Sequence, residues 1–334
     1  MKKTILAMAV PALLVAGAAN ASVNLYDADG VVVDMSGAAE IQFYKGYNKS
    51  NDAYLRIDDA DLIFTTTIAV TDSLDAVAGM GFKYEGDTND TGGVESDELY
   101  VGLGGDFGTL TFGRQLLISD DAGNQKDYEL GTEQIDFVKT SGAQVIKYVY
   151  DNGMFYAGAN VDLDNDISEG TDGRSIVGGR VGVRFDALDA RVYLYDGENL
   201  SGKINGTAYT LDTSGFNAEL DYAISDAFDV AVSYGQVEYK VVSSSLKSDV
   251  DVFGISGGYQ LDEATSFAVG YDIIDADGKG GVADAKSDSL YANVTYKLHS
   301  NAKVYAEVGV TDEEVGGADV DTDTGYVLGM EVKF

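Results

Sequence analysis

One histidine and no cysteine limit what chemistry this chain can perform. His299 sits in the short segment "HSNA", and it is read as an incidental polar residue of a turn. A lone imidazole without a thiolate cannot assemble a Ser/His/Asp relay or a His/Cys metal set. No catalytic, cofactor-binding or metal residue is therefore assigned, and no enzyme is expected. "GLGGDFG" (102–108) has the glycines of a phosphate loop, but it joins two strand patterns instead of leading from a strand into a helix. "DLDNDISEGTDG" (162–173) begins like a calcium loop. It lacks the sixth-position glycine and ends in Gly173 where a bidentate glutamate is needed, so it reads as an acidic external loop with at most weak affinity for divalent ions. What remains is charge without a reaction. The stretch "LLISDDAGNQKDYELGTEQID" (116–136) carries Asp120, Asp121, Asp127, Glu129, Glu133 and Asp136 against Lys126 alone. On an outer surface such a loop is only solvated; facing a narrow passage, it would act on ions.

The whole chain is acidic, with 56 Asp and Glu against 22 Lys and Arg. A surface of that sign repels nucleic acid, which is excluded as a partner. The opening "MKKTILAMAVPALLVAGAANAS" has a basic start, an apolar run from Ile5 to Ala16 and the small-x-small sequence Ala19-Asn20-Ala21. It reads as a secretory signal peptide over residues 1–21, cut after Ala21, with residues 22–334 as one mature domain. Loss of Lys2 and Lys3 takes the net charge from −34 to −36. The single proline, Pro11, leaves with this segment, which suits long uninterrupted strands in the remainder. No apolar run of about 18 residues follows the signal, so helical membrane spans are not expected.

Alternation of period two recurs along the chain. In "GYVLGMEVKF" (325–334), Tyr326, Leu328, Met330, Val332 and Phe334 share one face, while Val327, Gly329, Glu331 and Lys333 share the other. Each such stretch is roughly ten residues, about what a tilted strand needs to cross a bilayer. The links between them alternate in length. Short ones fall at 70–73, 104–108, 151–153, 186–189, 225–227, 261–265 and 299–302. Long polar ones fall at 45–52, 85–96, 116–136, 164–175, 196–207, 240–249, 275–288 and 312–323. Seven short turns and eight long loops predict an all-β fold, a sixteen-stranded antiparallel transmembrane β-barrel with short periplasmic turns and long external loops. Lipid cannot satisfy an open sheet edge, so the last strand is expected to pair with the first.

At this point the chain resembles the trimeric general diffusion porins of Gram-negative outer membranes. Its opening "VNLYDADGVVVDMSGAAEIQFY" is similar to the family's short strand, Asp-Gly turn and first long strand. "GTLTFGRQ" is similar to the strand before the family's long third loop, and Phe334 matches its C-terminal aromatic, the assembly signal. The resemblance implies that the third loop folds inward and narrows the channel, which makes Asp120, Asp121, Asp127, Glu129, Glu133 and Asp136 the acidic side of a constriction. It implies a basic cluster opposite, which is only partly present. Arg114 matches the basic residue after the strand's glycine, whereas Ala38, followed by Glu40, and Asp61 stand where the family has bases. Lys139, Arg180, Arg184 and Arg191 complete the expected pore wall.

The same resemblance implies an outer-membrane location, a homotrimer, and contact with outer-membrane lipid, lipopolysaccharide and the barrel-assembly machinery. It implies passive diffusion of ions and small hydrophilic solutes, with no cofactor. The acidic balance of loop and wall adds an expected cation preference. The alternatives are a substrate-specific porin of the same fold, or an outer-membrane barrel with an adhesion or structural role.

Overall fold

The structure, a computed structural model, describes residues 22–84, 93–131, 135–163, 173, 175–204 and 206–334. The expected signal peptide, Glu133 and most of the calcium-like segment lie outside the described residues. Eighteen strands follow in chain order: β1 (Val23–Ala28), β2 (Val31–Lys45), β3 (Tyr54–Thr71), β4 (Leu74–Tyr84), β5 (Val94–Gly105), β6 (Gly108–Leu116), β7 (Ser141–Asp151), β8 (Phe155–Asp162), β9 (Ser175–Phe185), β10 (Leu188–Ile204), β11 (Thr207–Ala223), β12 (Phe228–Val241), β13 (Lys247–Gln260), β14 (Thr265–Lys279), β15 (Ala285–His299), β16 (Ala302–Val315), β17 (Ala318–Val320) and β18 (Gly325–Lys333). Strands β2 to β16 pair antiparallel with their sequence neighbours, and β16 pairs with β18. The ring closes between β18 and β2, from Tyr326 opposite Lys45 to Lys333 opposite Ala38. Sixteen strands thus form a closed barrel.

The two remaining strands are accessories. β1 and the lower half of β2 form a hairpin turned at Asp29 and Gly30, both with positive φ (55° and 77°), as a two-residue turn of the right twist requires. β1 runs along β2 beyond the point where β18 ends, so the two strands lie end to end against one partner. Phe334 bridges that junction: its N–H donates to the Gly37 carbonyl at 3.0 Å and its carbonyl accepts from the Gly37 N–H at 2.8 Å. β17 is a short addition to β16 in the last outer hairpin.

All seven short links are turns between paired strands, and all lie at the rim that holds the ends of β18 and β1. The opposite rim corrects four of the expected long loops. β10 and β11 continue through 196–204 and 207–213, and β12–β13, β14–β15 and β16 likewise extend into the 240–249, 275–288 and 312–323 segments. The sequence polarity of these segments reads as loop. The polar composition hides a small apolar cluster, Ile204, Leu211 and Val241 with Tyr209, Tyr239, Leu246 and Val282, against which the first three of these hairpins pair beyond the rim.

Side-chain parity decides which face meets which solvent. On β18, Leu328 and Met330 are 54% and 46% exposed, while Val327 and Glu331, on the inner face, are 0% and 7% exposed. The outward band repeats around the ring with Phe43, Leu99, Val101, Phe112, Val181, Leu194, Val269 and Val308. An apolar outer face around a polar interior is stable only in lipid. Removing Phe334 deletes both hydrogen bonds that splice the termini. The expected outcome is a lower yield of heat-modifiable folded barrel and more aggregate, read by gel shift of membrane fractions; a normal folded yield would contradict this role for the terminal residue.

Candidate functional site

The segment between β6 and β7 enters the barrel and lies along its inner wall. It leaves β6 through a single turn of 3-10 helix, Ile118–Asp121, whose first N–H donates to Asn160 Oδ1 of β8 at 2.8 Å. Asp121 pairs with Arg180 of β9 at 2.5 Å, and Tyr193 of β10 donates to its carbonyl at 2.8 Å. The Gly123 N–H donates to the Glu219 carboxylate of β11 at 2.5 Å. Asn124 and Gln125 bond β11 and β12 through the Leu220 and Val232 carbonyls and the Ser233 hydroxyl. At Lys126 the backbone N–H reaches the Tyr291 hydroxyl and the carbonyl accepts from Asn293, both on β15.

The tip is held by a buried acid. Glu307 of β16, 3% exposed, accepts three consecutive loop N–H groups, from Tyr128, Glu129 and Leu130, at 2.7, 2.8 and 2.8 Å. Asn293 donates to the same carboxylate at 3.0 Å. Above it, Tyr128 stacks on Tyr305 with centroids 3.5 Å apart and planes at 7°. Tyr305 lies flat over Gly329 of β18, and a methyl built on that glycine would collide with the ring. Glycine is therefore what lets this ring lie along the wall and the loop tip lie on the ring. Leu130, fully buried, packs with Tyr291, Tyr305 and Val327, and Tyr47 donates to its carbonyl. The return limb buries Ile135 and Phe137 against Tyr195, Val237 and Val252, with Phe137 stacked on Tyr195 at 4.9 Å.

Four of the expected loop acids are tied by charge or backbone. Asp121 is paired with Arg180, Glu129 with Arg56 of β3, and Asp136 accepts the Val138 N–H at 2.8 Å. Asp127 accepts the Gly131 N–H at 3.1 Å, with the buried Asp272 also beside that glycine. Burial, with the Glu307 carboxylate nearby, pushes its pKa up to about 6. Asp120 is the exposed acid of the helical turn. Lys139 lies on the return limb, not the wall, and bonds Asp162 at 3.2 Å.

On the wall, Arg180, Arg184 and Arg191 point inward as expected, each in ion pairs: Arg184 with Asp151 and Asp189, Arg191 with Glu219 and Asp221. Arg114 does not. It stands opposite Leu99, on the exposed outer face, and its neighbour Gln115 is the residue buried inside. Glu40 and Asp61 face inward. The Tyr305 hydroxyl donates to Glu40, and Asp61 accepts the Ala38 N–H at 2.6 Å. In register, Glu331, Glu40 and Asp59 form a row across β18, β2 and β3, with Lys303 and Lys333 each 2.9 Å from Glu331. Like charges directly opposite cost stability, so such a row is unusual in a sheet.

Sequence reasoning missed Arg56, Glu219 and Glu307. Arg56 faces inward because the ladder slips at Asp58: Glu40 opposes Asp59, but Ile41 opposes Ile57. Simple parity counted from Asp61 would point Arg56 outward. Glu307 alternated plainly with Val304, Ala306 and Val308, so its inward face was legible although its partner was not.

Comparison with known proteins bears on this arrangement. A family model described as Gram-negative porin matches residues 6–316. The chain is 45% identical to the porin-like protein H of Photobacterium profundum over the full length of both chains. Its fold is similar to in-vitro folded OmpT of Vibrio cholerae in its trimer form, with a TM-score of 0.74 and 22% identity over 92% of this chain and 100% of that one. It is also similar to an anion-selective porin from Comamonas acidovorans, with a TM-score of 0.72 and 17% identity over 91% and 100%.

The triple N–H contact makes a specific demand on Glu307. Glu307→Ala leaves the loop's N–H groups without their acceptor, and charge-assisted bonds of this kind contribute about 1.5–3 kcal/mol each. Single-channel recordings of the variant are expected to show larger and noisier conductance than wild type. Glu307→Gln, which keeps one acceptor oxygen, should fall between them. Unchanged conductance in both variants would mean that the loop is held elsewhere.

Proposed function

The chain belongs to the Gram-negative porins, and on the outer-membrane channel this membership establishes we propose a finer reading: diffusion of ions and small hydrophilic solutes with a preference for cations. The observation that carries it is the sign of the wall. Between β18 and β3 the lumen presents Glu331, Glu40, Asp59 and Asp61, with Asp58 beside Arg56. The loop acids Asp121 and Glu129 are balanced by Arg180 and Arg56, so they contribute little net field. Lys303 and Lys333 flank this row at Glu331 and Lys83 stands opposite Asp61, but the acids still outnumber the bases there, and low-dielectric walls focus the negative potential that remains. The fold does not fix the sign, since one structural neighbour named above is an anion-selective porin. A homotrimer is proposed on the same footing as the trimer form of OmpT.

Reversal potentials in a potassium chloride gradient test this. Wild type is expected to prefer potassium, less so in high salt, because the Debye length falls from about 10 Å at 0.1 M to about 3 Å at 1 M. The variant Glu40→Gln/Asp59→Asn/Asp61→Asn should lose most of the preference. Lowering the pH from about 8 to about 5 should weaken it further by protonating Asp127. Anion selectivity in wild type would refute the reading.

A further inference from the structure

Beneath the loop tip, toward the short-turn rim, the lumen wall holds a crevice of about 640 Å³ that simple diffusion does not require. Its roof is the loop, at Lys126 and Tyr128; its floor is the lower ends of β11 to β15, where Ala227, Gly258 and Ala268 leave room. Volumes of this order are typical of small-molecule sites.

Its walls combine two kinds of surface. One is a fixed aromatic plate. Tyr128 is backed by Tyr305 at 3.5 Å, and its hydroxyl is bonded to Thr295 Oγ1 at 2.7 Å. Lys303 Nζ is 4.8 Å from the Tyr128 centroid and 5.5 Å from that of Tyr305. For two parallel rings those distances put the ammonium beside the stack, not over the outer face of Tyr128. The other surface is polar and mixed in sense: the hydroxyls of Ser266 and Thr295, the Asn293 amide oxygen (its N–H groups already bond the Lys126 carbonyl and Glu307) and the Lys126–Asp229 ion pair, whose charges cancel.

Resting on the porin reading above, we propose that this crevice is a weak binding subsite for neutral polyhydroxylated solutes the size of a mono- or disaccharide. Each hydroxyl both donates and accepts, so a polyol can satisfy a rim of mixed donors and acceptors. The C–H face of a sugar ring packs on an aromatic plate held in place at no further cost in ordering. An anion would meet Asp229 and Asp226, and a cation would compete with Lys126 for Asp229. A small inorganic ion would leave the plate unused. The pore then holds sugars briefly on their way through, beside its proposed cation preference.

Planar-bilayer recordings in potassium chloride test this, with maltose or a polyethylene glycol of matched hydrodynamic size added on the short-turn side. Wild type is expected to show saturable current blockades with maltose, whereas the glycol only lowers conductance in proportion to its concentration. Ala268→Phe fills the crevice from the wall without touching the loop's anchors, and Tyr128→Leu removes the plate. Each should raise the half-saturating maltose concentration about tenfold or more. Identical effects of maltose and glycol on wild type, or undiminished maltose blockade in Ala268→Phe, would overturn the subsite while leaving the channel intact. Absence of any conductance in wild type would instead overturn the channel reading on which the subsite rests.

Discussion

In lipid, no backbone N–H or C=O can be left without a partner, and the seam between β18 and β2 is where that condition is met for this chain. Every other feature follows from closing the ring. Closure abolishes sheet edges, gives the apolar faces of sixteen strands to the membrane, and turns the opposite faces toward one enclosed lumen. It also fixes the fate of the termini. β1 takes up the part of β2 that β18 does not reach, and the Phe334 backbone joins the two at Gly37.

A lumen enclosed by sixteen strands is too wide to be filled by its own side chains, so its width is set by what is laid inside it. The inward loop is anchored chiefly by acids of the wall acting as acceptors. Glu219 takes one loop N–H and Glu307 takes three. Backbone groups without a regular ladder are costly wherever water is excluded, and a carboxylate that accepts several of them is an economical way to satisfy the loop while fixing its height. The aromatic stack of Tyr128 on Tyr305 adds apolar contact at the same point. Tyr305 reaches that position only because Gly329 beside it has no side chain.

Charge in the lumen is organised by pairing. Arg56, Arg180, Arg184 and Arg191 each hold acids in place, and they do not form an open basic face. The row of acids Glu331, Glu40, Asp59 and Asp61 lies on β18, β2 and β3, on the wall where the resembled family has bases. The same scaffold can therefore carry either sign of preference, depending on a few inward positions.

The sequence by itself determined the barrel. Period-two alternation and the alternating link lengths are local properties, and the short turns were placed where the strands do turn. The inward faces of Arg180, Arg184, Glu40 and Asp61 were legible for the same reason. Parity could also have shown that Arg114 shares the face of Leu110 and Phe112 and so points outward; matching a motif overrode it. Tertiary structure alone decided the rest. The slip at Asp58 that turns Arg56 inward depends on the register against β2, which no strand specifies by itself. That Glu307 would meet Tyr128, Glu129 and Leu130, nearly 180 residues away in sequence, depends on ring closure, which brings β16 to the place where the loop from β6 comes to rest. Strand faces are written in neighbouring residues; partners across a closed lumen are set by the geometry of the whole ring.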